Sequence, residues 1–451
     1  MPYRVDDRIF LTSALLLVAT ASMAQDLTSP PMVQEQDSGL QPMVGNSAVN
    51  YELGQSPLGV AAAAARVKAA APTHFAIPLG SGGFNLDAGI KTEYIDNVFL
   101  SHSNAKDDFI VVPQCDLAAF FPVGQLNALS LDVGVAYYEY LKNTALNTGI
   151  PLINPNSALE FSLYSGDFGI KFSENFSYQQ NPAYETGQQF YNLFNTALFQ
   201  RYLNRIGALV TWDQNKLVMT AGYFHENLWS ETSVYSYIDH ASELFSADAM
   251  LATSPRLTVG LEAAGSINSF DNSPSYDTWR ATVGPAVRIN ASEFIKVRLG
   301  AGYERIQYDS AQASGLGLTP ENTYYAYGAI EHRINRFFNH SLTVWHDNQL
   351  GFNAANLEGT HVSYALSWAP RKQLTVSPLF SVNFYDESFG STTANLFHEK
   401  FTYYYSGLEV RYQFGPHWVA SASWYYALKN SEISTDGYAR NQVALGLLYQ
   451  F

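Results

Sequence analysis

Ten histidines and 40 acidic side chains are the first place to look for chemistry, and their spacing limits what they could do. Glu331-His332 and His340 lack the His-Glu-x-x-His arrangement that sets two imidazoles on one helical face for zinc. No Gly-x-Ser-x-Gly elbow offers a nucleophile. Gly80-Ser-Gly-Gly83 has no strand-to-helix setting in which it could cradle phosphate. His225-Glu226 and His346-Asp347 imitate the acid–base pairs of a rim-located hydrolase, but polar residues at strand ends account for them more simply. The single cysteine, Cys115, forms no intrachain disulfide; it shares an apolar face with Phe109, Val111 and Leu117, where packing or lipid contact is expected. These patterns call for no catalytic residue, no cofactor and no metal. A net charge of −15 argues against nucleic acid as a partner.

The periodicity of the chain says what positions its charged side chains. From Phe84, apolar and polar residues alternate, with Phe84, Leu86, Ala88 and Ile90 on one face and Asn85, Asp87, Lys91 and Glu93 on the other. After a loop, Phe109 begins a second alternating run. A short turn leads into a return strand with Leu129, Leu131, Val133 and Val135 outward. The unit recurs, with tight turns at 122–125, 165–167, 213–215, 253–256, 290–292, 335–338, 369–372 and 414–416, rich in Gly, Pro, Asn, Asp and Ser. Eight hairpins plus a first and a last strand give about 18 strands, or 16 to 20 if the mixed stretch 190–203 is misregistered.

Composition agrees. The chain is 14% charged, against about 25% in soluble proteins, and it is 14% aromatic. After residue 24 it has no apolar run of about 20 residues that could cross a membrane as a helix. The fold expected over 84–451 is all-β: a transmembrane antiparallel up-and-down β-barrel with a polar lumen. A soluble propeller or sandwich would bury the inward Asp, Glu, Lys and Arg in a dry core. Residues 1–24 read as a signal peptide and 25–83 as a flexible Pro/Gln/Ala-rich periplasmic segment, with an Ala-rich run that has helical propensity.

Inward positions carry Asp87, Asp116 and Asp132 on strands 1 to 3, and Arg280, Arg288, Lys296 and Arg298 on strands 10 and 11. Strands nine apart in an 18-membered ring face each other, so these are candidate pore-lining residues that would set a transverse field, with Glu304 interrupting the basic row. Aromatic groups at Tyr137-Tyr138, Tyr324-Tyr325, Tyr403-Tyr-Tyr405 and Trp424-Tyr-Tyr426 are expected mainly at the headgroup level; in a lumen, such a row could stack sugar rings. The loops at 101–106, 141–155, 179–189, 310–320 and 387–395 are expected outside, and the carboxy-terminus in the periplasm. No outer face stands out as polar enough for a trimer contact.

In the last strand, Val443, Leu445, Leu447, Tyr449 and Phe451 share a lipid-directed face. It resembles the terminal strand by which bacterial outer-membrane barrels are recognised, with Gly446, Tyr449 and Phe451 as the candidate assembly signal. The polar residue usual just before that signal is replaced by Ala444 and Leu445. The opening stretch Tyr94-Ile-Asp-Asn-Val-Phe-Leu-Ser101, with Asn104 and Asp107-Asp-Phe-Ile110, resembles that of the outer-membrane β-barrel porins of the second type. Some members of that family accompany exopolysaccharide synthesis and export. The resemblance implies a porin-like channel or an exopolysaccharide conduit, with outer-membrane lipids, the barrel assembly machinery, polar solutes or polysaccharide, and periplasmic export components as partners. A structural or adhesive barrel, or one with a hydrolase at its rim, is the alternative. Asp96-Asn97 reads as a turn or cap at the strand end before it reads as a ligand site.

Overall fold

The computed structural model describes residues 75–180, 200–272, 277–308, 320–349, 356–388 and 398–451. The expected signal, the arm up to residue 74, and much of the 179–189, 310–320 and 387–395 loops lie outside those residues, as does the ambiguous stretch 190–199.

The wall is built from β1 (Gly82–Ile95), β2 (Asp108–Val123), β3 (Asn127–Ala136), β4 (Ala158–Ser165), β5 (Phe168–Gln180) and β6 (Gln200–Gln214). It continues through β7 (Leu217–Ser230), β8 (His240–Ser254), β9 (Leu257–Phe270), β10 (Thr278–Asn290), β11 (Ile295–Tyr308) and β12 (Glu321–Asn335). It ends with β13 (Phe338–Gln349), β14 (Asn356–Arg371), β15 (Leu374–Ser388), β16 (His398–Phe414), β17 (Trp418–Ser431) and β18 (Tyr438–Gln450). Each strand pairs antiparallel with the next, and β18 pairs back onto β1 from Asp87↔Gln450 to Ile95↔Gln442. The result is a closed 18-strand barrel. Closure leaves no open edge, which is the condition for a sheet to sit in hydrocarbon.

All eight tight turns fall at one end. Gly124, Gly166, Asn215 and Gly415 occupy left-handed positions in four of them, with φ of 74°, 57°, 63° and 79°. Turn chemistry written in the sequence therefore sets the hairpins.

The outer surface is apolar. Leu261, Leu445, Val283 and Ile90 are 62%, 61%, 52% and 50% exposed, and each lies on the face opposite its strand's charged residues. Such rows are stable against lipid, not water. At the turn end, Phe168 stacks on Trp212, and Tyr412, Phe414, Trp418, Tyr449 and Phe451 follow one another in ring contacts of 4.6 to 6.4 Å. This is an interfacial aromatic girdle. A closed wall with this apolar outside is that of an outer-membrane barrel.

The aromatic clusters differ from their expected headgroup placement. Period two divides them: Tyr324 and Tyr404 face out, whereas Tyr325, Tyr403 and Tyr405 face in and are at most 5% exposed. Inward glycines make room for the rings. A Cβ on Gly300 would come within 2.3 Å of the Tyr327 ring, and one on Gly302 within 2.5 Å of the Tyr325 ring.

Candidate pore lumen and its loop cover

The lumen face can be followed strand by strand. Asp87 and Asp116 are direct register partners on β1 and β2, and Asp132 lies opposite Ala118 on β3. Gln450 donates to Asp87 at 3.1 Å and Asn154 to Asp116 at 3.3 Å. On the far wall, Arg288 and Arg298 are register partners, with Lys296 opposite Asn290 near the turn end. Arg280 stands away from them toward the loop end, where its guanidinium donates to Asn348 O at 2.7 Å.

The basic wall is interleaved with acid. Arg298 bridges to Glu331 at 2.6 Å, Arg288 interacts with Asp248 and Glu262, and Glu304 interacts with Arg280. Asp248 and Glu262 are themselves direct partners across β8 and β9. They were legible as inward by alternation, but nothing local told which arginine they would meet. Charge is paired elsewhere too: within β1, Lys91 with Glu93 at 2.7 Å, and between neighbouring strands, Lys171 with Glu160 at 2.8 Å and Lys429 with Glu399 at 2.9 Å.

Toward the loop end the lumen wall becomes a packed layer. Trp345 stacks on His361 at 4.5 Å, His361 meets Tyr385 edge-on at 5.0 Å, and Tyr385 stacks on Phe401 at 4.9 Å. Asp347 lies 3.4 Å from His361 Nε2, and Asn383 is within hydrogen-bond distance of His361 Nδ1. Leu100, from the loop after β1, is 2% exposed within the cluster formed by Leu357, Tyr385, Phe401, Tyr403, Tyr405 and Tyr438. That loop therefore crosses back over the junction of β1 and β18 and packs on the inner wall.

The residues that carried the family resemblance hold this cover in place. The Asn97 amide donates to Ser101 O at 2.8 Å and to Ala439 O at 3.0 Å, and its oxygen accepts from Ser101 N at 2.9 Å. The Asp96 carboxylate accepts from Asn441 N at 2.7 Å and Asn441 Nδ2 at 2.8 Å. With Gln442 donating to Glu93 at 3.0 Å and Gln450 to Asp87, side chains lace the closing seam along its length. Asp108, fully buried, accepts from Lys142 N, Asn143 N and Asn143 Nδ2 and fixes the long loop after β3. The turn-and-cap character of Asp96-Asn97 was legible in the sequence, but not their partners across the seam, Asn441 and Ala439, which lie 345 and 342 positions away.

The residues that imitated an enzyme separate. His346 and Asp347 are neighbours on a strand and so point to opposite faces: His346 meets Thr360 and Glu358 outside, Asp347 meets His361 inside. His225 bonds Glu243, not Glu226, on the outward face, where Tyr223 also donates to Glu243. With Asn204 donating to Glu174, this gives the outer face of β5 to β8 a polar patch that the sequence reading did not distinguish. No group of three or more metal-ligating side chains occurs among the described residues. At the carboxy-terminus, Tyr449 and Phe451 are in edge contact at 4.6 Å within the girdle, and Gly446 lies on the inner face against Ser421.

No family model matches the chain, and no curated protein matches it. Among solved structures, it is similar to OpdK of Pseudomonas aeruginosa with vanillate, at 11% identity over 82% of this chain and 99% of that one, TM-score 0.45. It is also similar to OpdQ of the same organism, at 9% identity over 83% and 98%, TM-score 0.46. A third is OccK2 (OpdF) of Pseudomonas aeruginosa in complex with glucuronate, at 11% identity over 83% and 99%, TM-score 0.47. At these identities the likeness concerns fold alone.

Proposed function

We propose that this protein is a porin-like outer-membrane channel for small polar solutes, and not an enzyme. The observation that carries the reading is the ionised lumen face inside a closed ring of 18 strands, a size that leaves an aqueous channel. The charged residues at Asp87, Asp116, Asp132, Arg288, Lys296 and Arg298 would line the path and bias which ions and dipoles pass. Purified protein in a planar bilayer should give discrete, ohmic conductance steps. Liposomes carrying it should swell in isotonic small sugars. A preparation that is folded by its heat-dependent gel mobility but gives neither result would sink the reading.

The finer reading, an outer-membrane conduit for exopolysaccharide with periplasmic export partners, rests on the resemblance of the stretch from Tyr94 to Ile110. In the fold, Asp96, Asn97 and Asp108 of that stretch are engaged in holding loops. A deletion strain separates the two readings. Loss of surface polysaccharide with small-solute uptake intact favours the conduit, and the reverse favours the pore.

A further inference from the structure

Residues 75–79, just ahead of β1, do not run away from the barrel; they turn back onto it. Residues Ile77–Leu79 pair with the start of β1, Ile77 opposite Phe84 and Leu79 opposite Gly82. The reversal is made at Gly80, with φ of +63°. One residue earlier the chain steps off the sheet toward the lumen: the Ala76 N–H donates to Asn85 Oδ1 at 2.9 Å, and Asn85 shares its face with Asp87. Phe75 then packs against the cluster of Phe120 and Ala128, lumen-side residues of β2 and β3 near the turn end, which Tyr164 of β4 also joins.

One glycine leaves the space for this: a Cβ on Gly83 would come within 2.6 Å of the Phe75 ring and of Ile77 O. Gly80-Ser-Gly-Gly83, which has no place in a phosphate loop, is thus the hinge that turns residues 75–79 back on the barrel. An aromatic ring held at the mouth by three wall strands takes up cross-section that solutes would otherwise use, and pore diameter is a principal determinant of permeation.

We infer that Phe75 is a size-determining residue of the pore, a wedge that narrows its periplasmic mouth. The inference rests on the channel reading, and its test separates the two. Phe75→Ala in bilayers should raise single-channel conductance on the order of 1.5-fold. It should speed liposome swelling more for tri- and tetrasaccharides than for monosaccharides, with Phe75→Trp shifting both the other way. In a Cys115→Ser background, Phe75→Cys and Ala128→Cys should be joined by a short bifunctional thiol reagent, seen as a gel-mobility change. Failure of that crosslink in folded protein overturns the inward placement. Where the double-cysteine variant crosslinks and wild-type protein conducts, a Phe75→Ala variant with unchanged conductance and sugar series overturns the size role. Where the double-cysteine variant crosslinks but wild-type protein carries no current, the channel reading is refuted and the size role falls with it.

Discussion

Replacing Asn97 by alanine tests whether the opening motif is a latch or a ligand site. The side chain is 2% exposed and makes three hydrogen bonds, one of them to Ala439 O across the seam. A net gain of about 1 kcal/mol per bond, and about 1 kcal/mol more for the partners left unsatisfied, gives a loss of roughly 3 to 4 kcal/mol. That is a shift of more than 100-fold in the folding equilibrium. Urea unfolding in lipid vesicles, followed by the folded and unfolded bands on cold SDS gels, should show a lower midpoint with unchanged slope. Asn97→Asp is the sharper variant. It keeps the acceptor for Ser101 N but sets a carboxylate against two carbonyl oxygens, so it should be at least as unstable as Asn97→Ala. A midpoint unchanged by Asn97→Ala, or an aspartate variant more stable than the alanine one, would refute the latch. A ligand-binding asparagine would instead leave the midpoint alone and alter passage.

Asp108→Asn should cost about 2 kcal/mol, because an amide nitrogen must then face at least one of the three N–H donors from Lys142 and Asn143. The readout is faster proteolysis in the loop after β3. Lys142 beside Asp107 holds that carboxyl below its ordinary value, so the pair's contribution is complete above the ordinary carboxylate range and is lost as pH falls through the lowered value. Both groups are exposed and screened by salt, so the effect on stability is small. A carboxyl-carbon NMR titration should place Asp107 low, and Lys142→Met should restore it. The double variant Lys296→Ala, Arg298→Ala should shift the pore toward cations, the more so because Glu331 loses its 2.6 Å partner, while heat-modifiable folding is retained. Unchanged reversal potentials in a salt gradient would remove that wall from the conduction path. Protease added to intact cells should cut within 141–155; cleavage confined to the tight turns would invert the orientation.

What the sequence by itself determined is the barrel. A wall strand has lipid on one side and a polar interior on the other, so each strand reports its own faces at period two. Ile90 against Asp87 and Leu445 against Gln442 needed no knowledge of neighbours. The turns were equally local, because Gly124, Gly166, Asn215 and Gly415 answer to backbone dihedrals within three or four residues. Counting such units was enough to reach the ring of 18 strands.

Tertiary structure decided everything that depends on register between distant strands or on where a loop comes to rest. Alternation marked Arg298 as inward, but only strand pairing set Glu331 2.6 Å from it and turned a basic row into a mixed one. Asn97 and Ala439 O meet because β18 closes on β1, a contact across 342 positions with no local trace. The inward tyrosines pack instead of lying free because Gly300, Gly302 and Leu100 supply their seats from other elements. Phe75 sits in the mouth because Gly83 leaves room for its ring. Local chemistry fixes which way a side chain points in a sheet. Which partner it finds there depends on chain closure and loop placement, and these are settled only when the whole ring has formed.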